Sequence, residues 1–340
     1  MKKYIILIAL ITFGSSIAFA QNTVEKHVRK GIEYHDNGEF AKAIESYKEA
    51  LKIEPKSTLV HYEMALSYFS LKYYKNAITH CDAVIKKKGE HLIAAYLVKG
   101  SSLDMIGKTE ESIKLFKKGI KKEGEHYLFY YNIAVNYAKM NDYSEAEKYG
   151  IKGAEVNPQH GSSHLLIGMM NSEMGNKSKA LIALHYFLLT EPNTARSKQA
   201  YALMQENFGR NVSIEEGEKK TITIMLSPDK EDSPFMAVDM MRGFLQAAYT
   251  LEENEGKSEE EMFVQNTESF FTILGELKEK EKAKDIWWTF YTPMLYEIGT
   301  SGHMEAYCNY ISMSSNEKAA TWLKENSEKF EAFKEWVERE

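Results

Sequence analysis

Cysteine is scarce in this sequence, with only Cys81 and Cys308. Neither has a second cysteine or a constrained histidine near it, so nothing argues for a thiol nucleophile. Other chemical signatures are missing too. There is no Gly-Lys-Ser/Thr loop to cradle a phosphate, no Gly-x-Ser-x-Gly elbow, and no His pair around a Glu at metalloprotease spacing. Carboxylates are plentiful, but every pairing along a helix is equally well explained by solvation and by ion pairs with lysine. No run of 18 apolar residues follows the first twenty positions, so no membrane span is expected after them. A basic surplus is also lacking. Residues 195–340 hold 17 Lys and Arg against 28 Asp and Glu, a net of −11, whereas residues 21–194 stand at +3. The acidic half is therefore not expected to take nucleic acid or an anionic membrane. An enzyme is not the expected reading, and no metal or cofactor is called for.

What the chain has first is a leader. Lys2 and Lys3 precede an apolar stretch from Ile5 to Phe13, and Ala18-Phe19-Ala20 forms a small-x-small site before Gln21. Residues 1–20 are expected to be a signal peptide, with an uncleaved anchor as the alternative. No cysteine follows the site, which disfavours a lipid anchor. The mature protein is expected in an exported compartment, the periplasm first and the medium second.

From Val24 to Thr194 the sequence then repeats five times at about 34 residues, opening near Val24, Thr58, Ile93, Tyr127 and Gly161. The first unit reads Gly31, Tyr34, Gly38, Ala43, Tyr47, Ala50, Pro55. The third returns Gly100, Leu103, Gly107, Ser112, Phe116 and Gly124, and the fifth Gly168, Asn171, Gly175, Ala180, Leu184 and Pro192. Small residues meet large ones at fixed offsets, and Pro or Gly closes each unit. The pattern resembles the tetratricopeptide repeat. That resemblance implies an all-α helical-hairpin superhelix of about five repeats over residues 21–194, each pair burying its core against its neighbours.

Local detail fits helix pairs. Gly38, Gly107 and Gly175, with Asn141-Asp142 in the fourth unit, fall in the turn between paired helices, where positive φ costs glycine least. Gly100 and Gly168 lie where the paired helix must come close. Gly150 and Gly153 depart from the pattern and point to weak packing or to a close neighbour. His27, His61 and His164 share one offset, held elsewhere by Tyr96 and Tyr130, so they are expected to pack between repeats rather than bind metal. Pro158 and Gly161 place His160 in the preceding loop, so His160 and His164 do not make a zinc site by spacing alone. Cys81 takes a core position on the second helix of repeat two and is expected as a free thiol. A bond to Cys308 would need the two halves to pack together.

Residues 195–209 read as a capping helix with Ala195, Ala202, Leu203 and Phe208 as its apolar set. Residues 210–340 read as a mostly helical, aromatic-rich domain with at most a short strand, Thr221–Leu226, whose partner is not apparent. Pro234 opens a helix through Met236, Met240, Met241 and Phe244. Phe270, Phe271, Leu274 and Leu277 form one stripe, and Trp287, Trp288, Tyr291, Leu295 and Ile298 another that Pro293 breaks. Ser314-x-x-Glu317 is a capping box for a final helix bearing Trp322, Leu323, Phe330, Phe333 and Trp336. Aromatics at this spacing are more often core than ligand box.

The family resemblance also implies a binding face on the first helix of each repeat. Here it comprises Tyr62, Leu66, Phe69, Leu97, Tyr131, Val135, Leu165 and Met169, flanked by Glu25, Val28, Ile32, His35, Leu59, Ser101, Asp104, Leu128 and Ser172. The Lys and Asn clamp for a peptide carboxylate found in some relatives is missing. An apolar segment of a protein partner fills such a face, or this chain's own C-terminal helices do. The reading is an exported bacterial adaptor or assembly factor. The rival is an enzyme with its site in residues 221–340 and the repeats as a docking arm.

Overall fold

The computed structural model describes residues 23–209, 212–215, 221–224, 234–248, 256–278 and 283–339. The leader at 1–20 lies outside them. Ten helices follow one another in sequence as five pairs. They are α1 (23–36), α2 (Phe40–Ile53), α3 (Thr58–Ser70), α4 (Tyr74–Lys87), α5 (Leu92–Met105), α6 (Thr109–Glu123), α7 (Tyr127–Lys139), α8 (Tyr143–Val156), α9 (Gly161–Glu173) and α10 (Lys177–Thr190). The all-α helix-pair fold expected from the period is present. The chain divides into two compact units, Met1–Asn136 and Tyr137–Glu340, so the last helix pair shares a unit with the C-terminal residues.

The inter-helix turns repeat one backbone geometry. Gly38, Gly107 and Gly175 hold φ of 77°, 79° and 80°, and Asn141 stands at 60°. Lys72 takes the same left-handed conformation in the second pair, at φ 63°, although its side chain gives no sequence signal for it. Close approach is equally concrete: a Cβ on Gly100 would fall 2.0 Å from the Phe116 ring. One on Gly150 would meet Ile167 of the next helix at 3.1 Å, so this departure from the pattern reflects a near neighbour. Cys81 and Cys308 are both free and buried, each in its own unit's core.

In the second unit α10 is the pivot. Ten of its fourteen side chains are buried, a helix apolar on all sides because other elements surround it. It packs on α9, on α11 (Ala195–Gly209), on α12 (Pro234–Ala248) and on α15 (Met304–Ser312). α11 contributes to this unit's core. On α11 the buried apolar residues are Ala200, Met204 and Phe208, with Ala195 and Ala202 exposed. Phe208 meets Phe263 and Phe270 of α13 (Glu259–Lys278) edge to face.

The strand has a partner after all. β2 (Thr221–Ile224) pairs antiparallel with β1 (Val212–Glu215), Ile214 opposite Ile222. β1 gives little strand signal in the sequence because its residues sit among polar neighbours. α12 begins at Pro234 as expected, but its buried face is Phe235, Val238, Asp239 and Arg242, while Met240, Met241 and Phe244 are exposed. The apolar residues pointed to the wrong face because this helix buries an ion pair.

Pro293 does not break its helix either. A π-helical turn, Trp287–Tyr291, runs straight into α14 (Thr292–Thr300), and the Thr292 N–H bonds back to the Trp287 carbonyl, five residues earlier. The wider turn shifts the hydrogen-bond register just before the proline, which then sits in the first turn of α14 where its missing donor costs nothing. The capping box at Ser314 is not made: Asn316 caps α16 (Glu317–Glu325) by accepting from the Lys318 N–H. The final helix is two, since Asn326 separates α16 from α17 (Ser327–Val337). The aromatic stripes nonetheless form core, with Phe270, Phe271, Trp287, Trp288, Tyr291, Tyr307 and Phe333 all buried in one cluster.

Candidate functional site

The face expected to bind a partner begins with side chains that a helix of 3.6 residues per turn brings together. In the first unit, α3 carries Tyr62, Leu66 and Phe69, α5 carries Leu97, and α7 carries Tyr131 and Val135. All six are half-buried. Neighbouring positions on the same helices, Met64, Ala65, Tyr96, Ile133 and Ala134, are buried, so each helix gives one side to the core and keeps a second apolar side partly open. Aromatic contacts fix part of this face. The Tyr62 ring stacks on His91 at 4.6 Å between centroids, and Phe69 meets Tyr74 edge-on at 5.5 Å. Val28, counted with the flanking residues, is instead in the core.

In the second unit the two remaining residues part ways. Met169 on α9 is 43% exposed. Leu165, one turn earlier, packs against the hydrophobic core that the C-terminal helices share with α9 and α10. Those helices cover α10, the second helix of its pair, and leave Met169 open.

Two of the three histidines at the shared offset, His61 and His164, share one device. His61 Nε2 lies 3.2 Å from the Pro55 carbonyl, and His164 Nε2 lies 2.8 Å from the Pro158 carbonyl. Each ring is tied to the proline that closed the preceding unit. His160 sits at the start of α9, with Nδ1 2.8 Å from Ser163 Oγ. Among the described residues no three His, Cys, Asp or Glu side chains come together as a metal site.

A cleft of about 500 Å³ lies in the half where an enzyme site was the rival reading, lined by Tyr201, Gln205, Glu259, Phe263, Asn309 and Lys318 among others. Burial pushes the Tyr201 phenol up to about 12 and drives the Cys308 thiol well above its usual range. The Glu260 carboxyl is held below its usual range by a hydrogen bond from Lys318.

Two segments match known families. Residues 31–72 match one described as TPR repeat, and residues 127–160 one described as Tetratricopeptide repeat. The Hsp70-Hsp90 organising protein of Plasmodium falciparum (isolate 3D7) is 26% identical over 105 residues, 29% of this chain and 19% of that protein. The chain thus spans about a fifth of that curated relative's length. Among solved structures, MamA is 21% identical with a TM-score of 0.42, over 47% of this chain and 94% of that one. Pseudomonas aeruginosa pilF is 15% identical with a TM-score of 0.46, over 56% of this chain and 90% of that one. Residues 31–72 and 127–160 of this chain are thus tetratricopeptide repeats. Repeats of this kind stack into extended surfaces that hold other proteins. No helix among the described residues is long and apolar enough to cross a membrane.

Proposed function

We propose that this protein is an exported adaptor that holds a partner protein by an apolar segment laid along α3, α5 and α7. The observation that carries the reading is the row of Tyr62, Leu66, Phe69, Leu97, Tyr131 and Val135, large apolar side chains left half-buried. A fold has no internal need for such a row, and an open apolar face invites association. Covering the exposed part of each side chain is worth about 1 kcal/mol, so several together bring affinity into a useful range. Export to the periplasm, among envelope proteins, is the part of the reading supported by Lys2, Lys3 and the Ala18-Phe19-Ala20 site.

The test is Phe69→Ala combined with Tyr131→Ala, followed by affinity capture from the exported fraction of the native host and by thermal melting. Lost capture with a nearly unchanged melt supports the reading. A large fall in melting temperature means that these residues hold the repeats together instead. Protein from the same host should begin at Gln21, and an intact Met1 on soluble cytoplasmic material would overturn the export.

A further inference from the structure

The first unit carries a second surface on the other side of α5. At 100° per residue, Lys99 and Ile106 point away from Leu97 by about half a turn of the helix. Together with the second helices α4 and α6 they line a cleft of about 560 Å³, within the roughly 300–1,000 Å³ typical of ligand pockets. Its floor is apolar, with Ile78, Ile106 and Leu115 half-buried and Leu103 buried. Its rim is basic: Lys75, Lys99, Lys108, Lys114 and Lys118 line it with Glu111 as the one acid. Two of these charges are answered, Lys99 by Asp82 at 2.5 Å and Lys108 by Glu111 at 2.8 Å. Lys75, Lys114 and Lys118 are exposed and have no carboxylate partner among the described residues.

We infer that this cleft docks an acidic segment of a partner protein, with large apolar side chains set between its carboxylates. Charge complementarity names the occupant. Three uncommitted ammonium groups surround a floor that only apolar groups satisfy, and Lys114 and Lys118, one turn apart on α6, match carboxylates one turn apart on a helical ligand. A recessed floor without an exposed aromatic ring does not suit nucleic acid, which stacks its bases on such rings. Nor does a cleft suit a flat anionic membrane as well as it suits a peptide. The inference stands apart from the face on α3, α5 and α7, since the two share no residue and each is tested by its own substitutions.

The experiment uses the full mature chain and a short fluorescent peptide with Leu and Phe one helical turn apart and Glu at the flanking positions. A twin with Lys in place of Glu, and vesicles containing anionic lipid, serve as the other probes. The acidic peptide should bind and its basic twin should not. Lys114→Glu with Lys118→Glu should weaken binding about tenfold, and Ile78→Ser should weaken it as well. The control pair Lys121→Glu with Lys122→Glu makes the same charge change at exposed positions outside the cleft and should leave affinity within about twofold. All variants alter exposed or half-buried side chains, and circular dichroism checks that each remains folded. Equal loss from both charge-reversal pairs, failure of the acidic peptide to bind, or capture of the vesicles alone would each overturn the inference.

Discussion

The Tyr291 hydroxyl donates a 2.6 Å hydrogen bond to Nδ1 of His164, across 127 residues of sequence. The direction follows from the other ring nitrogen, which faces the Pro158 carbonyl at 2.8 Å and must therefore carry the proton. A neutral His164 is thus built into the contact between α9 and the C-terminal helices. A second bond of this kind joins His185 Nδ1 to the Tyr307 hydroxyl at 2.9 Å, and His185 Nε2 is buried without a partner.

Both histidines resist protonation in the fold. Burial pulls His164 down to about 4 and His185 to about 3, against about 6.5 in the unfolded chain. The unfolded state therefore binds more protons through this window. Stability is full above about pH 6.5 and is lost as pH falls toward the folded values. All four tryptophans, Trp287, Trp288, Trp322 and Trp336, lie in the second unit, so their fluorescence reports this unit. Its urea midpoint should fall steadily from neutral pH to about pH 4, and His185→Phe should flatten the slope. A midpoint unchanged over that range would contradict the assignment.

Asp239 and Arg242 are buried as a pair on α12. The Asp239 carboxylate accepts from Ser178 Oγ of α10 and from Arg242 at 3.3 Å, and Arg242 also donates to the Asn207 carbonyl of α11 at 3.0 Å. Asp239→Ala leaves a buried guanidinium without its counter-charge and should cost about 3–5 kcal/mol. Asp239→Leu with Arg242→Met should cost much less. Phe235 stacks on Trp288 at 4.9 Å, so release of α12 should also change the tryptophan emission of the single variant.

Gly100→Ala should destabilise the first unit by about 1–3 kcal/mol, because the new methyl group would overlap the Phe116 ring. The Phe116→Leu background should soften that effect. Far-ultraviolet circular dichroism melting is the measurement, and an unchanged melt would show that α5 and α6 separate more readily than their packing implies.

Lys72 holds a left-handed backbone at φ 63° where Gly38, Gly107 and Gly175 occupy the equivalent turns. Lys72→Gly removes a Cβ that opposes this conformation and should stabilise the first unit by roughly 0.5–1 kcal/mol. Lys72→Val should destabilise it. Equal melting temperatures for all three forms would mean that the turn relaxes without strain.

The repeats are legible in the sequence alone. Their fixed offsets follow from local rules: a glycine wherever the turn needs positive φ, a small residue such as Gly100 wherever a ring such as Phe116 stands opposite, a proline or glycine to end each pair. The same periodicity put Tyr62, Leu66 and Phe69 on one side of α3. Packing with elements far away in sequence decided the rest. Nothing local to α12 says that Asp239 and Arg242 turn inward while Met240 and Phe244 stay out, because their partners, Ser178 and Asn207, belong to other helices. Nothing in 195–209 foretells that Tyr201 and Phe208 will meet Phe263. The lysine-rimmed cleft was equally hidden, since its floor and rim come from three helices, and only their packing sets Ile78 beside Leu115.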